Sequence, residues 1–234
     1  MTGRTIEQLF EGSTLAHEHF GVDQGPQATI LLFPTVMGVT DLERGFARRL
    51  VDLGYAVLLV DLYGRHFGPA QRDEAFAAMG ALRGDRAALR ARLIAVLEHA
   101  GSQSEIDGQR LAAIGFCFGG QCVLDLARSG VDIAGVASFH GLFDPPGLEP
   151  LPIKARVAAF HGWDDPLVPP EAVVSLGAEL TAAGRDWQIH AYGHVGHGFT
   201  NPGATGSSPG IRFDEQAAHR AWRSCDDFLT DLFG

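Results

Sequence analysis

Apolar residues in this chain fall into short unbroken runs, and the stretches between them carry apolar positions at helical spacing. Thr29-Ile30-Leu31-Leu32-Phe33, stopped by Pro34, and Tyr55 to Asp61 read as strands buried on both faces, as do Leu111 to Gly115, Ala134 to Phe139, Arg156 to Phe160 and Trp187 to Tyr192. Between the first two, Phe46, Leu50 and Leu53 share one face of a helix that Asp41 is placed to cap and Gly54 to end. Phe76, Met79 and Leu82 start a second helical pattern, which breaks at Gly84-Asp85 and resumes at Leu89, Leu93, Val96 and Leu97. Phe118 to Arg128 follows, then Pro170 to Ala183, with a proline pair at its start and Gly184 at its end. The last helix has apolar residues at 218, 221, 222, 225, 228, 229 and 232. Leu15 to Val22 is expected to add an antiparallel edge strand. Buried strands alternating with helices predict an α/β fold: right-handed βαβ units, a mostly parallel sheet, and helices on both faces. Ligand chemistry then belongs beyond the carboxyl ends of the strands.

Composition narrows the function classes. The 234 residues, 46% of them hydrophobic, suffice for one core, so a single domain over 1–234 is expected. With 18 basic and 28 acidic side chains the formal charge is −10, and no basic run offers a nucleic-acid surface. The longest apolar runs are too short to span a bilayer, and Met1-Thr2-Gly3-Arg4-Thr5 leads into no signal-like segment, so no membrane partner is expected. Three cysteines, an odd number without paired spacing, argue for a reducing compartment and a cytoplasmic protein. No C-x-x-C or H-E-x-x-H pattern supports a metal site, and the chemistry outlined below calls for no metal or cofactor. Nothing in the pattern speaks to oligomeric state.

Three loop motifs at strand ends carry candidate chemistry. Gly115-Phe116-Cys117-Phe118-Gly119-Gly120 follows a short strand and opens a helix. This is the setting of a nucleophile elbow with Cys where Ser is commoner. Glycines are needed there because the turn is sharp and side chains at 115 and 119 would collide with backbone. Cys117 then sits over a helix N-terminus, where the dipole favours thiolate, and the Phe118 N–H is placed to meet an oxyanion. His161-Gly162-Trp163-Asp164-Asp165-Pro166 follows the strand at Arg156 and offers two adjacent carboxylates to orient an imidazole. His194-Val195-Gly196-His197-Gly198 follows the last strand and offers two histidines. Nucleophile, acid, base is the α/β-hydrolase order. His140, beyond the strand ending at Phe139, either lines the pocket or closes a turn. Arg65, His66 and Arg83 are candidates for an anionic substrate or simply solvated cations. Cys122 and Cys225 lie on apolar helix faces as core residues.

On these motifs the chain resembles the dienelactone hydrolase family of α/β-hydrolases from about Ala28 to Phe233. The resemblance is carried by Gly115 to Gly120, Asp165-Pro166-Leu167-Val168-Pro169, Gly196-His197-Gly198-Phe199 and Val60-Asp61-Leu62-Tyr63-Gly64. It implies Cys117 as nucleophile, Asp165 as triad acid, His197 as base, and the N–H groups of Val36 and Phe118 as oxyanion donors. The chain departs from the family prototype at two positions. The glutamate that helps switch the thiol to thiolate is replaced by Thr35, and the arginine four residues past the catalytic histidine by Asn201. Both departures bear on the carboxylate-bearing lactone and not on the triad. The implied activity is hydrolysis of a small-molecule ester or lactone through a cysteine acyl-enzyme. The alternatives are an esterase or thioesterase acting on unrelated substrates, cleavage of carbon–carbon or halide bonds on the same scaffold, and a non-catalytic thiol sensor or binding module.

Overall fold

The computed structural model describes residues 3–21, 27–183 and 186–234. Ten strands and six helices are present among them. In chain order they are β1 (Arg4–Phe10), β2 (Ser13–Phe20), β3 (Thr29–Phe33), α1 (Asp41–Asp52), β4 (Ala56–Leu59), α2 (Arg72–Gly84), α3 (Arg86–Gly101) and β5 (Leu111–Phe116). There follow α4 (Phe118–Arg128), β6 (Gly135–Phe139), β7 (Arg156–Gly162), α5 (Pro170–Ala183), β8 (Trp187–Tyr192), β9 (Thr205–Ser208), β10 (Ile211–Arg212) and α6 (Glu215–Phe233). Eight strands form one sheet in the order β1-β2-β4-β3-β5-β6-β7-β8. β1 and β2, and β2 and β4, pair antiparallel, and the remaining pairs are parallel. The architecture is the α/β-hydrolase fold.

The parallel strands are buried on both faces because alternate residues serve different layers. Leu31, Ala113, Val136 and Val157 pack with α3, α4 and α5 on one side. Ile30, Leu32, Ile114, Ala137 and Phe160 pack with α1 and α6 on the other. Cys122 belongs to the first layer and Cys225 to the second, both fully buried. Beneath the end of β5, Phe116 stacks between Phe46 at 4.3 Å and Phe139 at 4.8 Å, with Trp222 of α6 against all three. Burial of rings of this size supplies about 1.5–3 kcal/mol each and gives the strand end a rigid base.

Two expectations are corrected. The antiparallel strand near Leu15 is not at the sheet edge: β1, whose Arg4, Thr5 and Glu7 are exposed, pairs outside it. Val22 lies outside the described residues, as does Gly184, the expected stop of α5. The cap of α1 is Thr40 rather than Asp41. Thr40 accepts from the Leu42 N–H at 3.2 Å, and Glu43 takes the Thr40 N–H at 3.1 Å, forming a capping box. At the break Gly84-Asp85 the Asp85 carboxylate accepts from the Ala88 N–H at 2.9 Å and starts α3.

A buried ion network fastens the helices of one layer. Asp125 on α4 pairs with Arg86 of α3 at 2.6 Å and with Arg128, which reaches Glu179 of α5 at 2.7 Å. Burial pushes the Asp125 carboxyl up, and the two arginines work against it. The Arg128 guanidinium also donates to the Phe143 carbonyl at 3.1 Å, which ties the segment after β6 to this network. Among the described residues no helix is long and apolar enough to cross a membrane.

Candidate active site

The turn from β5 to α4 is dictated by lack of space. A Cβ on Gly115 would lie 2.0 Å from the Gly119 carbonyl oxygen, and one on Gly119 would lie 2.3 Å from that of Phe33. Neither position admits a side chain. Cys117, between them, is held at φ 55°, ψ −115°, a conformation rare for a residue with a Cβ. Its N–H donates to the Phe139 carbonyl at 3.0 Å, which locks the turn to β6. The strain directs a partly exposed thiol into a cavity of about 640 Å³ at the carboxyl end of the sheet. Phe118 is the first residue of α4, so its N–H has no intrahelical acceptor. Its side chain is fully buried.

The loop carrying His197 is equally confined. Gly162 at the end of β7 lies so close to Val195 and Gly196 that a Cβ would meet their carbonyl oxygens at 2.5 and 2.4 Å. His197 donates its N–H to Gly210 at 2.7 Å and accepts from Arg212 at 3.1 Å. The ring is thereby carried over the sheet edge, where Nδ1 lies 2.7 Å from Asp165 Oδ2. The other Asp165 oxygen accepts from the Leu167 N–H at 2.8 Å. Both side chains are almost wholly buried. Asp164 turns outward instead and faces the exposed His194 at 3.7 Å. The two open choices of acid and base thus separate in space into one buried pair and one solvated pair.

Nδ1 is committed to Asp165, and Nε2 is buried without a formed hydrogen bond among the described residues. The Cys117 sulfur lies close enough to act electrostatically on this ring. Burial is the strongest single influence on His197 and disfavours its charge. Cys117 and Asp165 together outweigh it, and the ring is pushed up from 6.5 to about 10.

Of the expected pocket residues, Thr35, Val36, His140 and Asn201 line the same cavity as Cys117 and His197. Arg65 does not. It pairs with Glu74 and lies over the Phe67 ring at 4.7 Å. The Asn201 side chain accepts from the Gly203 N–H at 2.8 Å and shapes its own turn. Thr35 is itself held by a glutamate. The fully buried Glu43 accepts from the Thr35 hydroxyl at 2.8 Å and from its N–H at 3.2 Å. The Tyr63 hydroxyl donates to the Val36 carbonyl at 3.1 Å. Sequence reasoning missed Glu43, although Thr40-Asp41-Leu42-Glu43 carries the spacing of a capping box. It also missed Thr200, whose hydroxyl lies 2.8 Å from His140 Nε2, and it passed over His161, fully buried beside Phe143. The far wall comes from α2 (Arg72, Phe76, Met79, Arg83), from Leu142 and Asp144, and from the ribbon formed by β9 and β10. No cluster of side chains suited to a metal ion occurs among the described residues.

Comparison with known proteins places the whole chain in one family. The dienelactone hydrolase family profile matches residues 17–233. A carboxymethylenebutenolidase of Pseudomonas putida is 29% identical over 209 residues, covering 85% of this chain and 86% of its own. Among solved structures, the dienelactone hydrolase-like promiscuous phosphotriesterase P91 from metagenomic libraries is 33% identical, with a TM-score of 0.88 over 100% of this chain and 99% of that one. The structure named m3DLH is 35% identical, also at TM-score 0.88, covering 99% and 98%. This chain is a hydrolase and belongs to the dienelactone hydrolase family.

Proposed function

We propose that the chain hydrolyses carboxylic esters or lactones by covalent catalysis at Cys117, with His197 as acid and base and Asp165 as its orienter. The observation that carries this reading is the buried Asp165–His197 pair, whose ring favours its charged form beside a thiol at the lip of a cavity. The Cys117 thiolate adds to the substrate carbonyl, and the N–H groups of Phe118 and Val36 stabilise the oxyanion. Losing one such donor typically costs about 10²–10³ in turnover. The tetrahedral species collapses, the C–O bond breaks, and the departing alkoxide takes the proton from His197 Nε2. Neutral His197 then takes a proton from water as it attacks the thioester, and collapse returns the acid and the thiolate.

The cavity favours an acyl group with an apolar body. Val36, Met37, Phe76, Met79, Leu142 and Leu167 line it, together with Arg72 and Arg83. Arg83 is already engaged by Asp144 at 3.1 Å and Gln121 at 2.9 Å. Arg72 lies over the Phe76 ring at 5.4 Å. Phosphotriesters are a second substrate class, on the strength of P91.

Intact mass spectrometry after mixing with a panel of esters and lactones tests the reading. An acyl adduct mapped to Cys117, with turnover of a p-nitrophenyl ester lost in Cys117→Ala and His197→Ala, is the expected result. Equal inertness of wild type and both variants across the panel rejects it in favour of a sensor or binding module.

A further inference from the structure

We propose that His140 is a positioning residue that clamps the loop carrying His197 and fixes the angle of its imidazole, rather than a substrate contact. This rests on the reading of His197 as the base.

His140 follows directly on β6, and its N–H donates to the Phe160 carbonyl at 2.8 Å, which fixes its backbone to β7. Its φ is +36°, an unfavourable value for a residue with a Cβ. The strained backbone brings the ring beneath the 197–200 loop. There it meets His197 edge-on, with ring centroids 5.1 Å apart at 68°, and Phe199 at 5.2 Å and 79°. Nε2 lies 2.8 Å from the Thr200 hydroxyl, which is also buried. One ring therefore touches three of the four residues from His197 to Thr200. Among the described residues the ring's hydrogen-bond partner is in that loop, and Nδ1 is buried from solvent and unpartnered. His140 consequently presents no free polar atom to a substrate, although it borders the cavity.

Charge agrees with the geometry. Burial, helped by His197 and His161, holds His140 well below the ordinary histidine range. His161, faced by Asp165 and His197, is also lowered, burial being the main cause. Of the buried imidazoles of His140, His161 and His197, the last alone favours its charged form, and a neutral His140 can touch it without repulsion. The loop backbone has anchors of its own, from His197 to Gly210 and from Asp214 to Phe199. Removing the clamp should therefore leave the loop folded and release only the angle of the His197 ring.

Thr200→Val removes the hydroxyl at nearly constant shape, His140→Phe keeps a ring without nitrogens, and Thr200→Ser keeps the hydroxyl. Two readouts apply: kcat and KM on a p-nitrophenyl ester, and the rate of Cys117 alkylation by iodoacetamide at neutral pH, which needs no substrate. Thr200→Val and His140→Phe should lower kcat by about 10- to 100-fold with little change in KM, as expected for a misaligned base. Both should slow alkylation, Thr200→Ser should match wild type, and the double variant should be no worse than the worse single one. Wild-type kcat and alkylation in Thr200→Val, or an equal loss in Thr200→Ser, overturns the proposal. If His140→Phe fails to fold, Thr200→Val decides alone. If wild type turns over no ester, the functional reading fails, while the alkylation comparison still decides the role of His140.

Discussion

Two aspartate–histidine pairs stand side by side on the same two loops. Asp164 faces His194 at 3.7 Å with both side chains in solvent, and Asp165 meets His197 at 2.7 Å with both almost fully covered. The residues are neighbours in sequence, and their chemistry is the same. What separates them is the direction of one peptide unit. Asp164 N–H reaches the Val195 carbonyl at 2.9 Å, while Asp165 N–H turns back to Gly162 at 3.1 Å and draws its side chain inward. In water the outer pair is screened and its hydration competes with any bond. Under the cavity wall the inner pair has no such competitor, so the same groups become a fixed and strongly interacting unit.

The contrast is sharpest in turnover. Asp165→Asn should lower kcat on a p-nitrophenyl ester by roughly 10²–10⁴, because the amide no longer holds the needed tautomer or stabilises the cation. Asp164→Asn, assayed in parallel, should leave kcat unchanged, and a comparable loss in both would erase the distinction. Stability comes next. Asp165→Ala leaves a covered imidazolium without its carboxylate and should cost about 3–5 kcal/mol in urea unfolding at pH 7, whereas the midpoint of Asp164→Ala should coincide with that of wild type. The subtlest effect is in titration. Followed by NMR, His197 should keep its proton up to about 10. In Cys117→Ala the midpoint should fall, since burial then opposes the charge with only Asp165 against it. The linked stability has the same sign. A folded value raised above 6.5 stabilises fully below that pH and loses its contribution as pH climbs toward about 10. A His197 midpoint near 6.5 in wild type would mean that Cys117 and Asp165 do not outweigh burial at this ring.

Much of the scaffold was legible in the sequence because burial on both faces leaves a plain mark. Thr29 to Phe33 carries no charge and is wholly buried, and α4 runs from Phe118 to Arg128 as its pattern requires. β1 was not legible, because Arg4-Thr5-Ile6-Glu7 alternates into solvent and holds its place by pairing with β2. The ribbon of β9 and β10 is short and polar and depends on the loop around His197. The tight turn at Cys117 could be read from its glycines, and chain order with family likeness singled out Asp165 and His197, which the fold brings to 2.7 Å. Glu43, His140 and Thr200 were harder to place. Glu43 does carry a local capping-box spacing, but its hold on Thr35 is a contact outside that pattern, and His140 and Thr200 meet across 60 residues of sequence, which no local pattern encodes.

The crowding around the elbow determines where this chain can change. Gly115, Gly119, Gly120 and Gly141 each face backbone within 2.8 Å of any added carbon, so these four positions are closed to any side chain. The outer wall is built differently. Of the α2 residues only Ala75 is fully buried, and the tip of the β9–β10 ribbon is open to solvent. Libraries seeking new substrates should therefore be directed to α2 and the ribbon, where side chains can be exchanged while the thiol, imidazole and carboxylate keep their places.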